Sequence, residues 1–458
     1  MQIFQEKTIA AISTARGQGG LGVIRISGEN AISLADKIFV PFSKGRLKDL
    51  KGYTAKYGKI VREGECIDEA VALVFRAPHS YTGEDVVEIS CHGGIFITEQ
   101  VLKVVIENGA ILASPGEFTQ RAFLNGKMDL AEAEAVMDII GASGRQAAKA
   151  AISVHEGALS KKINKVKEGL IAMAAHLEAF ADYPEDEIPE VSSFFLKEKL
   201  STANSDLESL LESYGTGKII REGIDTAIIG KPNVGKSTLM NLLLGCERCI
   251  VTDIPGTTRD LVEETLLLGD IMLKVSDTAG IRNTDDLVEK IGVEKAQKKI
   301  DEAQLVLGVF DYSKPLYDDD IFLIKKLKTV NSIALINKTD LKKEIDTDLI
   351  EKNLKYVVYM SAKEDRGLKD LENLILDIFK MKNFDATQGI LSNQRQFFAV
   401  KSANENIIEA MKALDFGMTL DAITVLVEEA ISELMKLTGE KVTDAVVNEV
   451  FSKFCVGK

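Results

Sequence analysis

The sequence predicts a multidomain α/β protein: an N-terminal α+β domain, a helical domain assembled from two chain segments, and a mostly parallel α/β domain inserted between those segments. Three observations carry this reading. Apolar runs alternate with helical segments from 218 to about 381, which is the mark of βαβ units. Stretches rich in Ala, Glu, Lys and Leu flank that region on both sides. The first 125 residues instead mix short β-like runs with glycine and proline punctuation. At a prior of ~150 residues per domain, a chain of 458 residues suggests about three domains.

Taken in order, GVIRISG (22–28), AVALVFRA (70–77) and DVVEIS (85–90) predict strands of the first domain, 1–125. Gly93-Gly94 and Pro115-Gly116 punctuate them. The first helical segment, 126–217, contains DLAEAEAVMDII, whose Leu130, Ala133, Met137 and Ile140 recur at helical spacing. Asp129 and Glu132 resemble a capping pair before it. Gly215-Thr216-Gly217 is read as the boundary to the inserted domain, 218–381. Its predicted strands are TAIIG (226–230), IMLKVS (271–276), QLVLGVF (304–310), SIALIN (332–337) and YVVYMS (356–361). The last segment, 382–458, is helical again, with Val442, Val446, Val450, Phe451 and Phe454 on one stripe.

Composition narrows the function classes. With 56 basic and 70 acidic side chains the formal charge is −14, which argues against a general nucleic-acid coat. A local basic patch, or RNA held through a partner, stays open; the run KKINKVK (161–167) reads better as a solvated helix face. No run approaches the ~18–20 apolar residues of a membrane span. The start, MQIFQEKTIAAISTARGQGG, lacks the regions of a secretory signal. The five scattered cysteines fit free thiols in a reducing cytosol. A cytoplasmic protein with no membrane contact is expected. Cys246 and Cys249 have C-x-x-C spacing, but no second pair follows and no histidine lies at ligand spacing.

The chemistry is concentrated in the inserted domain. GKPNVGKS (230–237) follows a predicted strand and opens a helix. There Gly230 and Gly235 let backbone N–H groups curl around a phosphate, Lys236 reaches the β/γ-phosphates, and the Ser237 hydroxyl ligates magnesium. Alone, such a turn also occurs in glycine-rich strand–helix corners. Three further motifs follow it in order, each at a strand's C-terminal end. DTAG (277–280) supplies Asp277 toward magnesium and the Gly280 amide toward the γ-phosphate. NKTD (337–340) supplies Asp340, whose carboxylate accepts from the N1–H and 2-amino group of guanine. SAK (361–363) supports the base through backbone amides. The four together predict a Ras-like P-loop GTPase domain that binds GTP and Mg2+. Its GTP-contacting residues are read as Asn233, Val234, Gly235, Lys236, Ser237 and Thr238, then Thr252, Asp253, Ile254, Pro255, Gly256, Thr257 and Thr258. Asp277, Thr278, Ala279, Gly280, Asn337, Lys338, Asp340, Ser361, Ala362 and Lys363 complete the set.

Where small GTPases carry a water-orienting Gln after DxxG, this chain has Ile281. An arginine finger is worth ~10³–10⁵ in rate, so any replacement must provide roughly 4–7 kcal/mol. One candidate is a monovalent cation held by Asn233 and the carbonyls of TDIPGTTRD (252–260), with Thr258 on magnesium. Another is Glu289 orienting the water; by spacing alone Glu289 reads as a solvated carboxylate. Arg259 and Arg282 read as surface charge.

These motifs, with SYTGEDVVEISCHGG (80–94), PGEFTQRAFLNGKMDLAEAEA (115–135), DTAGIR…VEKIG and the ending FCVGK, are similar end to end to the tRNA-modification GTPase MnmE (TrmE) family. The resemblance implies a homodimer formed through a tetrahydrofolate-binding N-terminal domain. It implies a heterotetramer with the flavoprotein MnmG, in which FAD sits only on the partner. Together they install an aminomethyl or carboxymethylaminomethyl group at C5 of the wobble uridine of certain tRNAs. It implies activation by K+ as two G domains meet. By position, Asn233, Thr252, Ile254 and Thr257 ligate potassium, Ser237 and Thr258 magnesium, and Glu289 is catalytic. Arg25, Glu88, Lys127 and Lys458 hold 5-formyl- or methylene-tetrahydrofolate: basic groups suit its carboxylates and a carboxylate its pterin N–H donors. The chain departs from the family pattern at Asn283 and Leu287, often acidic there, and at Glu428, where a basic residue is expected.

CVGK (455–458) fits a prenylation box badly, because Gly457 and Lys458 are wrong for it. Two readings stand: a thiol, Cys455, presented near the folate or tRNA site, with a catalytic role implied by the resemblance, or a frayed end with an inert cysteine. Two rival functions use the same G motifs, a ribosome-assembly GTPase and a purely structural dimerising switch. The folate-like first domain, the tail and the acidic charge favour the tRNA-modifying enzyme over the first of these.

Overall fold

The computed structural model describes residues 7–182, 192–245, 263–276, 300–382 and 384–458. The chain divides into two compact units. One is built from Met1–Met137, Ser160–Ala203 and Ser402–Lys458, the other from Asp138–Leu159 and Asn204–Lys401.

The first unit opens with β1 (Ile9–Ile12), β2 (Leu21–Ser27), α1 (Ala31–Ile38), β3 (Phe39–Pro41), β4 (Thr54–Arg62), β5 (Glu65–Phe75), β6 (Val86–His92), α2 (Ile95–Glu107) and β7 (Ile111–Leu112). These make a seven-stranded sheet in the order β3-β4-β5-β6-β2-β1-β7, antiparallel except where β1 runs parallel to β7. The three predicted strands are β2, β5 and β6. Strand side chains alternate between faces, so Ile24 and Ile26 enter the core with Ala72, Val74, Val87 and Ile89 under α1 and α2. Arg25, between the two isoleucines, points to the opposite face, where the β2–β6 register sets it against Glu88. The sheet thus positions one half of a charged pair by its period alone.

α3 (Glu117–Leu124) and α4 (Leu130–Ile140) follow. The capping pair forms as predicted: the Asp129 amide donates to Glu132 Oε2 at 2.9 Å and the Glu132 amide to Asp129 Oδ1 at 2.8 Å. Leu130, Ala133 and Val136 then pack against Val447, Phe451 and Phe454. The buried valine of the last helix is Val447; the predicted Val446 is only half-buried. α5 (Arg145–His155), α6 (Ala158–Asp182) and α7 (Ser193–Glu222) carry the chain onward. Lys161 and Lys165 of KKINKVK are exposed, but Lys167 is buried and ion-paired with Glu440, so the run is not simply a solvated face.

Gly215-Thr216-Gly217 does not interrupt the chain; α7 runs straight through it to Glu222. Gly217 answers a packing need instead. A Cβ there would lie 2.5 Å from the Leu391 carbonyl oxygen. The turn comes at Gly223, which has φ +84° and ends the helix ahead of β8.

The second unit holds β8 (Ile224–Ile229), α8 (Lys236–Gly245), β9 (Glu263–Leu268), β10 (Ile271–Ser276), β11 (Leu305–Asp311), α9 (Asp318–Leu327), β12 (Ser332–Asn337), α10 (Thr347–Asn353), β13 (Val357–Tyr359) and α11 (Leu368–Ile378). Among the described residues its sheet has six strands, ordered β13-β12-β11-β8-β10-β9. All pairs are parallel except β9–β10. The five predicted strands are present. β9 is an addition: EETLLL, paired among the described residues with β10 alone. Every residue of β11 and β12 is buried, as expected of central parallel strands covered on both faces. Three helices close the chain: α12 (Gln394–Asp415), α13 (Leu420–Thr438) and α14 (Asp444–Ser452). No helix among the described residues is long and apolar enough to cross a membrane.

Candidate functional site

The strand order puts the C-terminal ends of β8, β11, β12 and β13 side by side; β8, β12 and β13 each lead into a predicted motif, and β11 into none. Between β8 and α8, the P-loop turns at Asn233, with φ +66°, and at Gly235, with φ +99°. Gly235 is required on two counts. Its φ lies in the left-handed region, and a Cβ would fall 2.2 Å from Asn337 Nδ2. Asn233 reaches a comparable φ with a side chain, a conformation Asn tolerates better than most residues. The Lys236 ammonium folds back onto the loop, donating to the carbonyls of Gly230 and Lys231 at 2.7 Å each. Burial lowers its pKa from the ordinary lysine value. Ser237 and Thr238 stand exposed at the first turn of α8.

Asn337, the last residue of β12, ties two loops together. Its Nδ2 donates to the Val234 carbonyl at 3.0 Å, and its Oδ1 accepts the Ala362 amide at 3.0 Å. That amide, expected to support a base, is here committed to Asn337. Lys338 has φ +67° and sends its ammonium to the Asn233 carbonyl and to Asp311 Oδ2, both at 2.6 Å. Ser361 Oγ donates to Asp340 Oδ1 at 2.6 Å. That bond is the main reason the Asp340 carboxyl is held below its usual range, with Lys363 and Arg366 adding attraction. An ionised, oriented carboxylate is what two N–H donors of guanine need. Asp311 and Ser313 escaped the sequence reading. A carboxylate ending a fully apolar strand was the available signal, and it carries no motif.

Of the residues read as contacting GTP or metal, those from 233–238, 337–340 and 361–363 are gathered at this edge. Thr252, Asp253, Ile254, Pro255, Gly256, Thr257, Thr258, Asp277, Thr278, Ala279, Gly280 and Glu289 lie outside the described residues, as do Ile281, Asn283, Leu287, Cys246, Cys249, Arg259 and Arg282. Of the residues read as metal ligands, Ser237 of the Mg2+ pair and Asn233 of the four K+ residues lie among the described residues. Both are oxygen-bearing side chains suited to hard cations.

A second cluster sits in the first unit. Arg25 Nε and Nη2 both bond Glu88 Oε1 at 2.8 Å, and Glu88 Oε2 takes no hydrogen bond among the described residues. The C-terminal tail closes over this pair. The Gly457 carbonyl accepts from Arg25 Nη1 at 3.3 Å and from Ser13 Oγ at 3.1 Å. Gly457 has φ +97°, and a Cβ there would stand 2.4 Å from the Ile12 carbonyl oxygen. The tail is docked, not frayed. Arg25 lies 5.3 Å from the Tyr81 ring centre and 5.6 Å from that of Phe118, with the Lys458 ammonium 6.0 Å from Tyr81. Burial, then repulsion from Arg25, lowers the Lys458 pKa, against the attraction of Glu88.

The Lys127 ammonium donates to the Pro78 carbonyl at 3.2 Å. Cys455 is exposed, whereas Cys91 is buried and its thiol is pushed up to about 11, chiefly by burial. An exposed thiol beside a docked tail is accessible to a substrate; a buried, protonated one is inert. His92 closes β6, with Nδ1 2.6 Å from Asp68 Oδ1. No group of three His, Cys, Asp or Glu side chains suited to a metal occurs among the described residues.

Residues 8–127 match the family model for the GTP-binding protein TrmE N-terminus, and residues 130–455 match that for the MnmE helical domain. The tRNA modification GTPase MnmE of Acetivibrio thermocellus is 44% identical over 461 residues, with all of both chains covered. That of Clostridioides difficile is 42% identical over 462 residues, again with full coverage of both. That of Carboxydothermus hydrogenoformans is 43% identical, covering 99% of this chain and all of the relative.

Proposed function

This chain belongs to the tRNA modification GTPase MnmE family, and from that premise we propose that it hydrolyses GTP to drive modification of the wobble uridine in tRNA. The observation that carries the proposal is the convergence of P-loop, NKTD and SAK at one sheet edge, in a chain that also docks its tail on Arg25 and Ser13. With the flavoprotein MnmG, which brings the FAD, it installs an aminomethyl or carboxymethylaminomethyl group at C5. The working assembly is a homodimer, and with MnmG a heterotetramer, in the cytoplasm.

At the nucleotide edge, Lys236 leaves the Gly230 and Lys231 carbonyls for the β/γ-phosphates, which explains its position in a loop it otherwise closes. Ser237 and Thr258 hold Mg2+, which screens the phosphate charge. Asn233, Thr252, Ile254 and Thr257 hold K+ where an arginine finger's charge would fall, and Glu289 orients the attacking water. Asp340, pre-aligned by Ser361, selects guanine over adenine by accepting from N1–H and the 2-amino group.

In the first domain, Glu88 Oε2 faces the pterin donors of a formyl- or methylene-tetrahydrofolate, and Arg25, Lys127 and Lys458 serve its carboxylates. When bound, the folate supplies a one-carbon unit. Tyr81 gives that site an aromatic wall, and Cys455 is presented at its edge.

GTP turnover of the purified chain in potassium and in sodium, at equal ionic strength and with MnmG titrated in, tests the proposal. Much faster turnover in potassium and a stoichiometric complex with MnmG are expected. Equal rates in both salts would remove the potassium role, and failure to bind MnmG would remove the partner.

A further inference from the structure

The Asp311 carboxylate sits at the end of the central strand β11, with its side chain 5% exposed, and no part of the GTP chemistry described above uses it. Each of its oxygens is engaged. Oδ1 accepts from the Ser313 amide at 2.9 Å and from Ser313 Oγ at 2.7 Å. Oδ2 accepts from Lys338 Nζ at 2.6 Å. The two Ser313 bonds fix the carboxylate plane, so the second oxygen is held on the lysine. The same ammonium reaches the Asn233 carbonyl at 2.6 Å. One charge therefore joins the NKTD loop to the crest of the P-loop, with Asp311 as its anchor.

Two left-handed residues bear on this chain of contacts. Asn233 and Lys338 are both non-glycine residues with positive φ, +66° and +67°. Such backbone is costly and persists only where neighbours hold it. Here each is at one end of the Lys338–Asn233 bond. Burial alone would raise the Asp311 pKa, yet the bonds from Lys338 and Ser313 outweigh it and hold the carboxyl below its usual range.

We propose that Asp311 is a positioning residue of the nucleotide site that acts through Lys338, fixing the guanine-recognition loop against the P-loop crest at Asn233. The proposal rests on reading 230–237 and 337–340 as nucleotide loops. It extends that reading by assigning a residue outside the four motifs a part in holding GTP and GDP. Asp311 touches no nucleotide itself; its effect passes entirely through the lysine.

A double-mutant cycle on the full chain tests it, with the dissociation rate of a fluorescent GDP as the readout, measured well below the melting temperature of every variant. Asp311→Ala should speed GDP release about tenfold or more, the effect of losing one bond to a charged group. Lys338→Ala should do at least as much. Asp311→Ala added to Lys338→Ala should then cost little more, because the carboxylate no longer has a lysine to hold. Asp311→Asn, which retains an oxygen acceptor, should recover part of the loss. Losses that multiply in the double variant would overturn the proposal, because Asp311 would then act independently of Lys338. A single variant that melts lower but releases GDP at the wild-type rate would also overturn it. Failure of the wild-type chain to bind the fluorescent GDP would instead refute the nucleotide-site reading, and the Asp311 proposal with it.

Discussion

Asn337 and Val234 stand 103 residues apart in the chain, yet the Asn337 side chain donates to the Val234 carbonyl at 3.0 Å. The same amide accepts from Ala362, so one buried side chain spans three loops of the nucleotide edge. Asn337→Ala would leave a carbonyl and an amide without partners, at ~1–3 kcal/mol for each buried group. A lower melting temperature and weaker GDP binding are expected together, read by thermal unfolding with and without GDP.

Gly235→Ala should be more selective. The residue has φ +99°, and a Cβ would press on Asn337 Nδ2. The strain falls on the P-loop itself, so nucleotide affinity should drop by at least ~tenfold, corresponding to about 1.4 kcal/mol. Titration with a fluorescent GDP measures this directly.

Asp340 gives a test of base choice and of pH. Asp340→Asn replaces two acceptor oxygens with an amide, which suits the 2-oxo group of xanthine better than the 2-amino group of guanine. Preference should move from GTP toward XTP. In the wild type the Ser361 bond holds the Asp340 carboxyl below its usual range. The ionised form therefore persists as pH falls, and guanine binding is lost only below the ordinary carboxylate range. Ser361→Ala removes the main cause of that depression, so the acid limb of GDP affinity should move to higher pH.

The tail separates the two chemistries. Removing Cys455 to Lys458 should abolish tRNA modification and leave potassium-stimulated GTP hydrolysis largely intact, since the tail's contacts lie on Ser13 and Arg25. Gly457→Ala, which forces a Cβ toward the Ile12 carbonyl, should weaken folate binding measured by calorimetry. Cys455→Ser should mimic the truncation in modification if the thiolate attacks substrate, because a hydroxyl is a far weaker nucleophile at neutral pH. Normal modification by Cys455→Ser would leave the tail as a binding element only.

Much of this was legible in the sequence where local chemistry and pattern agree. Strands β8 and β12 are largely apolar runs closing on motifs, and Asp129 with Glu132 announces the start of α4 through its spacing. What escaped depends on contacts between distant residues. Gly215-Thr216-Gly217 reads as a break, but Gly217 is small because Leu391 crosses close to it. Strand β9, paired among the described residues with β10 alone, is an EETLLL run that lacks clear alternation. Asp311 looks like any strand-end carboxylate until Lys338 is brought to it. The docking of the tail needs a turn at Gly457 and an arginine more than four hundred residues earlier in the chain, which no local pattern shows.

The most direct measurement of the central claim is nucleoside analysis of tRNA from a strain lacking this protein, complemented with variants. Loss of the C5-modified wobble uridine is expected, restored by the wild-type chain and by neither Lys236→Ala nor the chain truncated after Phe454. Unchanged levels of the modified nucleoside in the deletion strain would contradict the account.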